Sequence, residues 1–112
     1  MYHRERRQEG FLVLSGECLL IVEGETRTLG AWDFFHCPGG TAHVIVGAGD
    51  GPAVVIAVGS RGGREGLVYQ VDAAATEHGA GVERQTTKPG EAYARFPHPE
   101  RTRYRDGWLP EL

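Results

Sequence analysis

Between residues 11 and 58, short β-branched or aromatic stretches alternate with turns built on Gly and Pro, at intervals of about ten residues. That rhythm constrains the fold more than any other feature, because short strands punctuated this regularly form an all-β sandwich or barrel. Residues 11–22 alternate and are rich in Leu, Val and Ile, with Ser15-Gly16 breaking them into two strands at a turn or bulge. Glu23-Gly24-Glu25 is a hairpin turn signal, followed by a short polar strand at 26–29. Residues 33–37 make a further strand, stopped by Pro38-Gly39-Gly40, and another runs from 42 to 46. Residues 53–58 form an unbroken apolar run, which reads as a buried strand, and 67–71 read as one more short strand. The 17 glycines and 6 prolines supply the turns.

The pattern changes after Asp72. Asp72 is an N-cap, residues 73–78 are helix formers and Gly79 suits the position after the helix end. Thr87 with Pro89, then residues 91–95, suggests a second short helix. The tail from Pro97 is broken by proline and carries three arginines. It reads either as a solvated arm or as an extended arm anchored by Trp108 and Leu109 on the barrel or a partner. With 112 residues the expectation is a single domain, a β-barrel over 1–71 with helices and arm over 72–112 packed on it.

Charge and composition exclude several classes. A net charge of −3 gives no basic field for nucleic acid, and no basic amphipathic stretch suits a membrane surface. The polar opening MYHRERRQEG is not the apolar core of a signal peptide, and residues 53–58 are too few to span a bilayer. Two cysteines make no disulfide framework, so Cys18 and Cys37 read as reduced thiols of a cytoplasmic protein, with pairing open only if their strands lie side by side. No Gly-rich phosphate loop, Ser/His/Asp order or zinc-finger spacing is present.

The chemistry-bearing residues sit at two places. A strand beginning at Glu9 puts Glu9, Phe11 and Val13 on one face, with Gly10, Leu12 and Leu14 on the other. Both faces are apolar, so Glu9 points into an enclosed space, where a carboxylate needs a cation, a proton or several donors. His3 and Glu5, two apart, project to the same side of an extended segment. On spacing alone the three are either solvated charge or ligands aimed at one point. Later, the turn at residues 38–42 delivers His43 to the start of a strand. In the neighbouring strand, Cys37 reads as core and His36 as an edge or interface residue, since the two face opposite ways. Arg61 and Arg64, in a glycine loop, read as solvated.

The order and spacing of these residues resemble the cupin superfamily. Its first motif, His-x-His, three or four residues, Glu, six residues, Gly, matches His3, Glu5, Glu9 and Gly16. The centre of its second motif, Pro-x-Gly, two residues, His, matches Pro38, Gly40 and His43. The stretches FLVLSGE and WDFFHCPGGTAHVIVGAGDGP are similar to small single-domain bacterial cupins, as are HGAGVE, EAYARF and RYRDGWLP near the C-terminus. There are departures: Glu5 replaces the second histidine, Trp32 the glycine that opens the second motif, and Gly47 its final asparagine. Cupins also carry strands before the first motif.

The resemblance implies a double-stranded β-helix, or jelly-roll, barrel. It implies a divalent transition metal (Fe, Mn or Zn) held by His3, Glu5, Glu9 and His43, with a small-molecule substrate in a cup walled by Phe11, Val13 and Phe35. Dioxygenase- or isomerase-type chemistry is the family expectation, and the alternative is a non-catalytic small-metabolite or sugar-binding module. A barrel short of strands would expose edges, so a homodimer is expected.

Overall fold

The computed structural model describes residues 1–108. Among these residues the chain is mostly β, with six strands followed by two short helices: β1 (Glu9–Ser15), β2 (Glu17–Val22), β3 (Glu25–Leu29), β4 (Phe34–Cys37), β5 (His43–Ala48), β6 (Val54–Gly59), α1 (Ala73–Glu77) and α2 (Pro89–Ala92). The strands pair antiparallel in two three-stranded sheets, ordered β4-β1-β6 and β3-β2-β5. The ladders of the described residues leave these as two sheets rather than the closed barrel expected from the sequence. Residues 67–71 contribute isolated bridges at Val68 and Tyr69 instead of a strand. No described helix is long and apolar enough to cross a membrane.

Local chemistry explains the breaks. Gly16, at φ +76°, separates β1 from β2, and a Cβ there would strike the Pro52 carbonyl. Glu23 and Gly24 both have positive φ, as the two central residues of a type I′ hairpin must. The Glu23 carboxylate then accepts a bond from the Ala42 amide at 2.8 Å, tying the hairpin to the start of β5. Asp72 caps α1, its carboxylate accepting from the Ala75 amide at 2.9 Å.

Trp32 shows what the missing motif glycine did. The Asp33 amide donates to the Gly30 carbonyl at 3.0 Å, and Trp32 has φ +72°. This is a type II turn with a bulky residue at the position that favours glycine. Its side chain is 73% exposed, so packing offsets little of the strain. Trp32→Gly should therefore raise stability by about 1 kcal/mol, a gain of roughly 4 °C in Tm by calorimetry.

The outer face of the β4-β1-β6 sheet overturns one expectation. Residues 53–58 read as buried, yet Ile56 is 47% and Val58 59% exposed, beside Phe34 at 62%. Val55 and Ala57, on the other face, line a cavity, whereas among the described residues no layer covers the outer face. An apolar run reports that both faces shun water, not that one chain supplies both covers. Of the two readings of the tail, exposure favours the solvated arm: Trp108 is half-exposed and packs edge-on against Tyr104 at 6.0 Å, with the Arg105 guanidinium over its ring. Leu109, the other expected anchor, lies outside the described residues. Cys18 and Cys37 are free and buried, on different sheets.

Candidate metal centre

Three elements converge on one point. Glu9 opens β1 and His43 opens β5, so each side chain stands at a strand end where the pleat aims it inward. His3 arrives on a segment that bridges β5: its amide donates to the His43 carbonyl at 3.2 Å, and the His43 amide returns a 2.9 Å bond. The turn between β4 and β5 presses on the same segment. The Gly40 amide donates to the Glu5 carbonyl at 2.6 Å, and Gly39 lies so close to the Arg6 carbonyl that a side chain there would overlap it.

His43 is 3% exposed, while His3 and Glu9 are half-buried. His43 Nε2 lies 2.6 Å from Glu9 Oε2, and His3 Nε2 lies 3.8 Å from the same oxygen. One donor atom from each of His3, Glu9 and His43 falls within 4.8 Å of the others, a group that could hold a metal ion. Glu5 is more peripheral, its Oε1 3.8 Å from His3 Nε2 and outside that group.

The second nitrogens decide what this cluster can accept. His43 Nδ1 faces the Thr41 carbonyl at 2.9 Å, and His3 Nδ1 faces the Met1 carbonyl at 2.8 Å. A carbonyl only accepts, so both Nδ1 atoms carry hydrogen. Each neutral ring then turns the lone pair of Nε2 toward a carboxylate that also offers only lone pairs. Three such donors need a cation between them, either a proton on a ring or a metal. Histidines fixed in this tautomer by backbone carbonyls are the usual second shell of a metal site, and the donor set fits the group.

The surroundings are aromatic and apolar. Phe11 lies 5.6 Å from the His43 ring and Tyr69 5.7 Å from the His3 ring. Tyr69 escapes a sequence reading because its strand partners, Arg4 through Val68 and Thr86, are remote in the chain. Cys37 Sγ packs 3.1 Å from His43 Nδ1. Burial pushes its thiol up to about 11, and the charges of Glu9, Glu23 and Glu5 add in the same direction. Cys37 is thus a neutral packing group behind the imidazole, while His36 is exposed and bonds to Gln8 at 3.0 Å.

Next to Phe11 the two sheets border an open cavity of about 280 Å³, lined by Cys18, Ile45, Ala53, Val55 and Ala57. Of the three expected pocket residues, Phe11 lines it and Phe35 stacks on Phe11 at 6.4 Å, whereas Val13 is fully buried. A larger groove of about 650 Å³ lies away from the histidines, between residues 81–86 and 91–95. Its lining mixes Arg84 and Arg95 with Glu83 and Glu91, whereas the smaller cavity meets the histidine cluster through Phe11.

The cupin-domain family model matches residues 1–59, the segment carrying all three converging residues. The chain belongs to the cupin family. Among solved structures, this cupin is similar to a protein from Acidithiobacillus ferrooxidans ATCC 23270 provisionally assigned as a sugar phosphate isomerase, at 31% identity and a TM-score of 0.51. The similarity covers 54% of the cupin chain and 40% of that protein, so it spans less than half of the relative's length. No curated protein matches this cupin.

Proposed function

We propose that this protein is a metal-binding cupin acting on a small oxygenated molecule, with His3, Glu9 and His43 as ligands of a divalent Fe, Mn or Zn ion. The reading is carried by one observation: two imidazole Nε2 atoms and one carboxylate oxygen converge while both Nδ1 hydrogens are already committed to carbonyls. Two nitrogens and a carboxylate suit borderline first-row ions rather than thiophilic ones. Glu5, 3.8 Å from His3, is placed to become a fourth ligand by a side-chain rotation. Three protein ligands would leave a position open, and the bound ion would supply Lewis acidity there. The cavity behind Phe11 would take the apolar part of the substrate, and its volume, at the small end of the usual range of about 300 Å³ and upward, suits a compact metabolite. Isomerase-type chemistry is favoured by the assignment of the A. ferrooxidans relative.

The test is metal content by mass spectrometry, on protein purified without a polyhistidine tag. Close to one Fe, Mn or Zn per chain is expected. Substoichiometric metal, with no binding of added Zn(II) or Mn(II), would leave the site to a metal-free sugar-binding role.

A second copy of the chain would cover the outer face of β4-β1-β6. Leu12 pairs with Phe34 on one side and Ile56 on the other, and Gly10 pairs with His36 and Val58, so apolar groups run across three strands. Two free buried thiols are compatible with the reducing cytoplasm, where we place the protein. Val58→Asp, which puts a charge on the apolar part of that face, should convert a dimer to a monomer in size-exclusion chromatography with light scattering. A monomeric parent protein at micromolar concentration would remove this part of the proposal.

A further inference from the structure

We infer that residues 67–92, beyond the matched cupin segment, form a clamp that completes the metal centre, with Tyr2 as the positioning residue through which the clamp holds His3. The inference rests on the metal reading above for its consequence, not for its geometry. Isolated bridges hold the backbone of His3 and Arg4, and these come from opposite sides. His3 pairs with His43 of β5, whereas Arg4 pairs with Val68, through bonds of 3.0 Å and 2.9 Å. One residue earlier, the Tyr2 amide donates to the Ala80 carbonyl at 2.7 Å.

Side chains repeat the arrangement. On an extended backbone, successive residues point to opposite sides. Tyr2 is turned into a buried cluster made jointly by Ile21, Ala42 and Val44 of the cupin segment and by Ala75 of α1. His3, next in the chain, is thereby turned toward Glu9. A slip of one residue would exchange the two and take the imidazole out of the site. From the other side Tyr69 covers the His3 ring. Tyr69 is itself fixed by its bridge to Thr86 and its edge-on contact with Tyr93 at 5.9 Å. A five-residue helix does not persist alone, so α1 is held by the same Ala75 contact that holds Tyr2.

Two variants of the full chain separate this role from general stability. Tyr2→Ala removes the buried ring, and Tyr2→Phe restores it. Gly81→Ala leaves residues 2–4 untouched. A Cβ at residue 81 would lie 2.8 Å from the Thr76 amide and hydroxyl, so the chain must move off α1 and draw the Ala80 carbonyl away from Tyr2. Zn(II) affinity, measured by chelator competition, should fall at least tenfold in Tyr2→Ala, return in Tyr2→Phe, and fall no further when His3→Ala is combined with Tyr2→Ala than in His3→Ala alone. Bound Cu(II) should show two imidazole nitrogens by electron paramagnetic resonance in the parent and one in Tyr2→Ala.

In metal-free protein, hydrogen exchange at the His3 amide should accelerate at least tenfold in Tyr2→Ala and in Gly81→Ala, while the amide of Val13 in β1 of the other sheet, which donates to the Asp33 carbonyl, keeps its rate. Additive affinity losses, an unchanged nitrogen count, or unchanged exchange at His3 would overturn the clamp. Failure of the parent to bind metal would sink the metal reading alone, and the exchange rates would still decide the clamp. If Tyr2→Ala does not fold, Gly81→Ala decides it by the same exchange and affinity measurements.

Discussion

His43→Ala is expected to lower affinity for Zn(II) or Mn(II) at least a hundredfold and to leave the purified protein without stoichiometric metal. Structural zinc sites bind with about 10–16 kcal/mol shared among four ligands, so one ligand accounts for roughly 3 kcal/mol, or two powers of ten. His43 is the most buried of the three converging residues, and water cannot simply replace its nitrogen at 3% exposure. The variant also strips Glu9 of the partner that lies 2.6 Å away and leaves a half-buried carboxylate facing a void. A loss of stability should accompany the loss of metal. Glu9→Gln separates the two effects. The amide keeps the shape of the side chain and can donate to a neutral Nε2, so the fold should survive while metal binding falls. Isothermal titration and thermal unfolding on both variants provide the check. Undiminished metal binding in His43→Ala would show that the ion, if present, sits elsewhere.

The convergence of His3, Glu9 and His43 was legible in the sequence, and the reason is geometric. Glu9 and His43 both stand at strand starts, and a strand start following a turn is the place where sequence spacing translates most directly into direction. The break at Gly16 and the hairpin at Glu23-Gly24 were legible for a related reason, since positive φ is a local demand that leaves a local mark. The roles of Tyr2 and Tyr69 were not legible. Their partners are Ala75, Ala80, Thr86 and Val68, and no periodicity links residue 2 to residue 80. The exposed face of β6 was misread because Ile56 and Val58 carry the same residue types whether their cover is intramolecular or a second molecule. Among the proposed ligands, Glu5 shares a side with His3 by spacing, yet the structure keeps it at the rim, where the chain bends to meet Gly40.

That meeting point carries the largest expected effect on the fold. Gly39→Ala should destabilise the protein by about 3 kcal/mol and lower Tm by about 12 °C, with loss of metal binding as well. Two backbones touch at this position. A Cβ on residue 39 would overlap the Arg6 carbonyl and crowd its carbon at 2.9 Å, and neither belongs to a flexible side chain that could swing aside. The chain must therefore separate at the contact. Arg6 lies between Glu5 and Glu9, while residue 39 leads into the turn that presents His43, so separation pulls the carboxylates from the imidazole. Gly40→Ala is the matched comparison. Gly40 has φ +83° but open space around its Cβ position, so its substitution adds only backbone strain of about 1–2 kcal/mol. If crowding between the two motif segments is what shapes the site, the variant at 39 loses metal and the variant at 40 retains it, even at temperatures chosen so that both are equally folded. Equal retention in the two would mean that the turn and the His3–Glu9 segment move independently, and that the close approach at Gly39 contributes packing without setting the geometry of the ligands.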